Sequence, residues 1–108
     1  MVIFYYLKNK EIYGTDDIKI WGEMRKENSK EETIGRDEIC GCLISTVFLG
    51  INHNHSNGLP ILFETMVFSE EHKELDERQE RYCSWQEAKE GHEKMVEYVT
   101  KYCGEEND

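Results

Sequence analysis

The chain has no basic block, almost no proline and no long uninterrupted apolar run. Its 108 residues include 13 Lys and Arg against 23 Asp and Glu, which gives a formal charge of −10, and a single proline. A negative field of this size repels phosphate backbones and anionic lipid head groups, whereas it attracts basic protein surfaces. We therefore expect a basic protein as partner, and neither direct nucleic-acid binding nor membrane binding.

The stretch at residues 43–63, LISTVFLGINHNHSNGLPILF, contains no Asp, Glu, Lys or Arg. The polar sequence NHNHSNG interrupts it, so neither part reaches the roughly 20 apolar residues of a membrane span. Two apolar strands joined by a polar turn are instead typical of a soluble core. Because a chain of this size has room for one core, we predict a single domain over residues 1–108.

Motifs of known catalytic chemistry are missing as well. The sequence has no phosphate-binding glycine loop, no Gly-x-Ser-x-Gly elbow and no Cys-x-x-Cys pair. His92-Glu93 lacks the second histidine, four residues after the first, that a zinc protease of this type needs. We therefore expect a protein that is not an enzyme.

The cysteines do not predict a disulfide framework. Four are present, but only a six-residue apolar run precedes Lys8, which is too short for a signal peptide. We expect reduced thiols in a cytoplasmic protein. The four residues are Cys40, Cys42, Cys83 and Cys103.

The pattern of apolar residues predicts an α+β fold, in which a small antiparallel sheet carries one long C-terminal amphipathic helix packed on one face. Residues 1–24 predict an opening hairpin, with its turn at 8–10, and a connector. Within the connector, residues 16–24 fit either a short helix capped at Thr15 or Asp16 or an irregular segment.

Residues 25–68 hold the main antiparallel strands. Two strong apolar strands are expected over 39–49 and 61–68, joined by a loop that contains turn formers. The charged sequence before them predicts at most a polar edge strand that ends at Ile34, with a turn at Gly35.

Residues 69–80 are nearly all polar and predict an acidic loop or a loosely held helical turn. A short last strand is expected at 81–83. Ser84 and Glu87 form a capping box, in which each side chain satisfies a backbone amide of the first turn. A helix over 84–103 follows and is stopped by the next glycine. Its predicted apolar face consists of Trp85, Ala88, His92, Met95, Val96, Val99, Tyr102 and Cys103.

The histidines are the first candidates for a site. Imidazoles are ligands suited to zinc, and His53 and His55 lie two residues apart between the main strands. On the predicted path the helix begins at this end of the sheet, which brings His92 towards Glu64 and His53. Alternatively, His92 is a core histidine bonded to a backbone carbonyl. Glu64 has two further interpretations, as a buried general base or as the partner of Arg81 in an ion pair.

Two metal clusters are possible on this path, and we predict one structural zinc ion rather than a catalytic one. The first consists of His53, Glu64 and His92, to which His55 or Cys83 could be added. The second, at the opposite end of the sheet, consists of Cys40, Cys42 and Cys103.

Three stretches in the C-terminal two thirds of the chain resemble a family of small, mostly phage-encoded proteins. They are STVFLGINH (45–53), GLPILFETMVF (58–68) and RYCSWQEAKEGHEKMV (81–96). Asn52 and Cys83 depart from the family pattern, which usually has Asp and Ser or Thr at these positions. Because no cysteine belongs to the pattern, the resemblance favours the histidine and glutamate cluster over the cysteine cluster.

The resemblance implies a phage-encoded protein that acts in the cytoplasm of a host bacterium. By analogy with other short acidic phage proteins, it would bind and inhibit a host defence protein. The most specific form of this expectation is a monomeric anti-CRISPR inhibitor that blocks nucleic-acid loading of a type II CRISPR effector nuclease. One alternative is a sponge for a nucleotide immune signal, which would need Arg25, Arg36 or Arg81 to hold phosphates. The other is a small metal-dependent hydrolase that would need Glu64.

Overall fold

The computed structural model describes residues 4–54 and 57–106 and shows an α+β protein, as predicted. Two antiparallel sheets are present, a two-stranded hairpin and a four-stranded sheet with the order β3-β4-β5-β6. The elements in chain order are β1 (Phe4–Lys8), β2 (Glu11–Thr15), α1 (Ile18–Glu27), a 3₁₀ turn (Ser29–Glu32), β3 (Thr33–Ile39), β4 (Cys42–Phe48), β5 (Phe63–Ser69), β6 (Gln79–Tyr82) and α2 (Trp85–Glu106).

The opening hairpin forms as predicted. Its turn residues Asn9 and Lys10 have positive φ angles of 53° and 66°, the backbone geometry that matches a two-residue turn to the twist of its strands. Leu7 pairs with Ile12 across the hairpin and is buried. The hairpin is therefore anchored to the core through its last apolar residue.

The N-cap of helix α1 lies one residue after Asp16 and two residues after Thr15, the two predicted caps. The carboxylate of Asp17 accepts hydrogen bonds from the backbone amides of Lys19 and Ile20, so the N-cap is Asp17 and neither Thr15 nor Asp16. No residue of α1 is fully buried. The helix is held by Trp21, which stacks on Phe4 with ring centroids 4.8 Å apart and donates its indole N–H to a hairpin carbonyl.

The two strong strands appear as β4 and β5, and β6 pairs with β5 close to the predicted last strand. The edge strand is where the prediction was wrong. Strand β3 begins at Thr33 rather than ending at Ile34, and Gly35 lies within it at a shift in register. Strand β3 contains the charged residues Arg36, Asp37 and Glu38, so its sequence lacks the apolar pattern of a strand. Its pairing with β4 along its whole length is seen only in the structure.

Alternation along β4 and β5 divides the sheet into two faces. One face packs against α2 and is buried. We call the other, which carries the side chains between the buried ones, the open face. Its residues on the two central strands are Leu43, Ser45, Val47, Glu64, Met66 and Phe68.

Helix α2 starts with the predicted cap and runs past the predicted stop. The Ser84 hydroxyl accepts a hydrogen bond from the amide of Glu87, but the Glu87 carboxylate accepts one from that hydroxyl rather than from a backbone amide. Gly104 stays within the helix, which continues to Glu106. Glycine is free to adopt the left-handed conformation but is not forced to.

The buried residues form two apolar clusters beneath α2. The cluster next to the hairpin contains Leu7, Phe48, Leu62, Phe63 and Ala88. The cluster towards the C-terminal end of α2 contains Cys42, Ile44, Val67, Leu75, Met95, Val99 and Cys103. Leu75 comes from the segment predicted as a solvated loop, so that prediction missed one core residue. Among the helices of the described residues, none is long and apolar enough to cross a membrane.

Candidate functional site

The predicted histidine and glutamate cluster is not assembled. Glu64 lies on the open face, where its carboxylate accepts a hydrogen bond from Arg81 Nε at 2.9 Å. His92 packs on the opposite face, because α2 covers only that side. The ion-pair interpretation of Glu64 is the one that the structure shows, and strand alternation is the reason that Glu64 and His92 do not meet.

The remaining predicted ligands are also dispersed. His53 lies in the connection between β4 and β5, where its backbone amide donates to the carbonyl of Ile61, and His55 lies outside the described residues. In the parts of the chain that the structure describes, no group of three or more His, Cys, Asp or Glu side chains is arranged to hold a metal ion. Zinc binding therefore stays a prediction without an assembled ligand set.

The alternative cysteine cluster is only partly brought together. Cys42 and Cys103 share the C-terminal core cluster, where a buried thiol acts as a small apolar group. Cys40 is exposed in the β3–β4 turn, and none of the four cysteines, all of which lie in the described residues, forms a disulfide bond. Cys83 is half-buried, and this burial, together with the negative charge of Glu87, raises the pKa of its thiol.

A chain of hydrogen bonds, buried at its centre and exposed at its Asp37 end, runs through the sheet beneath α2. His92 Nε2 lies 2.7 Å from Asp37 Oδ2, and His92 Nδ1 lies 2.7 Å from Thr46 Oγ1. The Thr46 hydroxyl contacts the Thr65 hydroxyl, which accepts a hydrogen bond from Tyr82 Oη at 3.1 Å. Five side chains from four strands and one helix are thus linked end to end.

The protons of this chain have one consistent direction. A carboxylate can only accept, so the N–H at His92 Nε2 donates a hydrogen bond to Asp37, and Nδ1 is the acceptor whenever the ring carries a single proton. Thr46 then donates to Nδ1, Thr65 donates to Thr46, and Tyr82 donates to Thr65. Every hydroxyl proton has a partner, and no buried side-chain nitrogen or oxygen in the described residues lacks one.

Two glycines make room for this chain. A Cβ on Gly35 would lie 2.6 to 2.8 Å from three atoms of the His92 ring, and a Cβ on Gly91 would overlap the ring and hydroxyl of Tyr82. A real Cβ essentially never lies closer than 3.0 Å to a nonbonded heavy atom. Gly35 is thus a close-approach site inside a strand and not the predicted turn.

Asp37, His92 and Thr46 stand in the order of a nucleophile triad, but the burial of Thr46 excludes that role. Thr46 is 0% exposed, so no substrate can reach its hydroxyl. The chain instead ties β3, β4, β5, β6 and α2 to each other. His92 is therefore a core histidine, although it bonds to side chains rather than to the predicted backbone carbonyl.

We expect the Tyr82 end of this chain to weaken at alkaline pH. Burial raises the pKa of the Tyr82 phenol above its ordinary 10.0. The negative charge of Glu80 also raises this pKa, whereas the hydrogen bond to Thr65 lowers it by a smaller amount than burial raises it. A raised pKa means that the neutral phenol favours the folded state, so the contribution is complete below pH ~10 and is lost as pH rises through the folded pKa.

Urea unfolding at several pH values tests this expectation. At neutral pH, the free energy of unfolding of Tyr82→Phe should be about 1 kcal/mol lower than that of wild type. Above pH ~10, the free energy of unfolding of wild type should fall more steeply with pH than that of Tyr82→Phe. Tyr98→Phe, at an exposed tyrosine, is the matched control and should follow wild type. Equal alkaline losses in wild type and Tyr82→Phe would contradict the assignment.

The second candidate site is an acidic surface at the end of the sheet away from the hairpin. Residues 70–80, which we call the acidic segment, contain six carboxylates and two basic residues, and every one of these charged residues is exposed. An open cleft of about 540 Å³ adjoins it, and its lining includes Glu38, Glu70, Glu71 and Asp76. This arrangement can attract and hold cationic groups.

Comparison with known proteins adds nothing to either site. A scan against protein-family models, a search of curated proteins and a search of solved structures each found no match to this chain.

Proposed function

We propose that this chain is a non-catalytic binding protein whose acidic segment captures a basic surface of a host defence protein. In its most specific form, the target is a type II CRISPR effector nuclease whose nucleic-acid channel the protein blocks, within a bacterial cytoplasm. The observation that carries the proposal is the position of the charge. The phage and CRISPR parts of it depend on the sequence resemblance and on analogy.

Over stretches of eleven residues, no part of the sequence has a larger excess of negative charge than the acidic segment. Residues 4–32, which form the hairpin, α1 and the 3₁₀ turn, contain six basic and seven acidic residues and are nearly neutral. The acidic segment has an excess of four negative charges over eleven residues. A field concentrated in this way orients a basic partner and accelerates its approach.

The geometry gives less support to the two alternatives. Arg25 makes two hydrogen bonds of 2.8 Å to Glu32, Arg81 is bonded to Glu64, and Arg36 lies 3.9 Å from Glu38. Each of the three arginines proposed to hold a phosphate is therefore already paired with a carboxylate. For a hydrolase, Glu64 would have to leave its ion pair. No arrangement in the described residues favours either function over protein binding.

Charge reversal in the acidic segment tests the proposal. The double variant Glu70→Lys/Glu74→Lys should weaken binding to a purified type II effector nuclease by about 10- to 100-fold, because two attractive contacts become repulsive. Biolayer interferometry of the apo and guide-loaded nuclease measures the affinity. The wild-type complex should weaken as salt rises, because salt screens exposed charges.

Glu23→Lys/Glu27→Lys is the matched control. It changes the net charge by the same amount, at two exposed positions of α1 far from the acidic segment in the sequence. The affinity of this control for the nuclease should lie within about 3-fold of that of wild type, because only the screened, long-range effect of the added charge remains. Equal weakening by both double variants, or no binding of wild type to the nuclease, would overturn the proposal.

A further inference from the structure

The cleft beside the acidic segment is lined by charges of one sign. It is bordered by four carboxylates, those of Glu38, Glu70, Glu71 and Asp76, and the described residues that line it include no Lys, Arg or His. A second cleft of similar size, between β6 and α2, is lined by two basic residues as well as by three glutamates. Only the first cleft is therefore complementary throughout to a cationic group of another molecule.

Two apolar side chains, those of Leu43 and Phe68, lie among these carboxylates and line the same cleft. In the strand register Glu38 pairs with Leu43, and Leu43 pairs with Phe68, so the three residues stand in one row across β3, β4 and β5. Paired residues of neighbouring strands point to the same face of a sheet, here the open face. Phe68 is 46% exposed, so the cleft offers an aromatic ring next to negative charge.

Hydrogen bonds tie the β3–β4 turn to the acidic segment and so fix the shape of the cleft. Ser69 Oγ donates to the carbonyl of Gly41 at 3.2 Å and accepts from the backbone amide of His72 at 2.9 Å. A Cβ on Gly41 would lie only 2.5 to 3.0 Å from the carboxylate atoms of Glu71, which shows that this carboxylate lies directly against the turn. The cleft is therefore present before any ligand binds.

This combination of groups suits a long cationic side chain better than a metal ion. In the part of the chain that the structure describes, no three His, Cys, Asp or Glu side chains are arranged to hold a metal ion, and such an ion would not use the exposed ring. An arginine side chain uses both features. Its methylene groups cover apolar surface, and its planar guanidinium stacks on aromatic rings and donates two parallel hydrogen bonds to a carboxylate.

We propose that this cleft binds one arginine side chain of the basic partner, with the guanidinium stacked on Phe68 and hydrogen-bonded to the surrounding carboxylates. This inference rests on the proposed function, because it names the chemical group that the acidic surface captures. Glu38 is available for such a bond. Its Oε1 lies 3.9 Å from Arg36 Nη2, which is longer than a hydrogen bond, and both side chains are exposed.

Titration of the ¹⁵N-labelled chain with N-acetyl-argininamide, followed by NMR, tests the cleft without any partner protein. The amide signals of residues 40–43 and 68–71 should shift together and saturate, with a dissociation constant on the order of 1 mM for so small a ligand. N-acetyl-lysinamide should bind at least about 3-fold more weakly, because an ammonium group has neither the plane nor the fork of a guanidinium. N-acetyl-citrullinamide, which lacks the charge, should bind at least about 10-fold more weakly.

Two variants test the two parts of the cleft. Phe68→Leu keeps an apolar side chain but removes the ring, and it should weaken binding of the arginine probe by about 2- to 5-fold. Glu71→Gln should weaken it by about 3- to 10-fold, because the charge of the acceptor is lost. Tyr98→Leu is the matched control, since it removes a ring that is 42% exposed in the other cleft, and it should bind the probe like wild type.

The dispersion of the NMR signals establishes that each variant is folded, and Glu71→Gln, at an exposed position, replaces Phe68→Leu if the latter is not. Equal binding of the arginine and lysine probes, or equal binding by wild type and both cleft variants, would overturn the inference, because either result indicates attraction by charge alone.

The nuclease assay separates this inference from the proposed function. If the probe binds as expected but the nuclease does not bind wild type, the proposed target is wrong and the arginine cleft stands. If the nuclease binds wild type and the two cleft variants equally, or if the probe does not shift residues 40–43 and 68–71, the arginine cleft is wrong and the proposed function stands.

Discussion

Gly91→Ala should lower the free energy of unfolding by about 2 to 4 kcal/mol, the largest effect expected from adding a single methyl group to this chain. The new Cβ would overlap the ring and the hydroxyl of Tyr82, and the ring fills the space between β6 and α2. Moving it away breaks the hydrogen bond from Tyr82 to Thr65 and the packing around it. Urea unfolding followed by circular dichroism measures the change.

The same substitution elsewhere in the helix should have the opposite sign. Gly104 also lies in α2, but a Cβ there meets nothing within 4 Å. Gly104→Ala should therefore raise the free energy of unfolding by up to about 1 kcal/mol, because alanine favours the helical conformation. In a Tyr82→Ala background, Gly91→Ala should become neutral or stabilising. A penalty that persists there would show that Tyr82 is not the cause.

His92→Ala should lower the free energy of unfolding by about 3 to 5 kcal/mol, the second large effect. The substitution leaves a cavity where a buried ring was. It also removes the acceptor of Thr46, a fully buried hydroxyl whose other side-chain partner among the described residues is Thr65. Chemical unfolding measures the loss, and Glu93→Ala, one residue along and exposed, should change stability by less than about 0.5 kcal/mol.

A double-mutant cycle separates the hydrogen-bond chain from simple packing. Thr46→Val leaves His92 Nδ1 without its donor and the Thr65 hydroxyl without its acceptor, although Tyr82 still donates to Thr65. Thr46→Val with Thr65→Val removes both hydroxyls together. We expect the double variant to be less destabilised than the sum of the two single variants, because they share one interaction. Strict additivity would mean that the hydroxyls do not act as a chain.

Elements with local signals could be predicted from the sequence. The hairpin turn, the alternation of β4 and β5 and the 3.6-residue period of α2 are each encoded within a few residues. The beginning of β3 could not be predicted in this way, because pairing with β4 determines it. The end of α2 was missed for a related reason: Gly104 permits a stop but does not require one.

The candidate site was less predictable, because its residues are distant in the sequence. His92 bonds to Thr46 and Asp37, which precede it by 46 and 55 positions in the chain. Nothing in the sequence near Asp37 or Thr46 indicates such a partner. The predicted cluster placed Glu64 beside His92 because the sequence indicated only that both residues lie towards the same end of the sheet. It did not indicate that their side chains lie on opposite faces. A strand register is needed to decide the face, since one residue of shift reverses every side chain.

The anchoring of the acidic segment has a consequence for affinity. Leu75 is 1% exposed in the core, Asp76 accepts a hydrogen bond from the amide of Ser69, and the amide of Glu77 donates to the carbonyl of Val67. The carboxylates are thus displayed on a backbone whose shape is already fixed. A floppy anionic tail would lose conformational entropy on docking. Here most of that loss has already occurred during folding, so a target meets a preorganised surface.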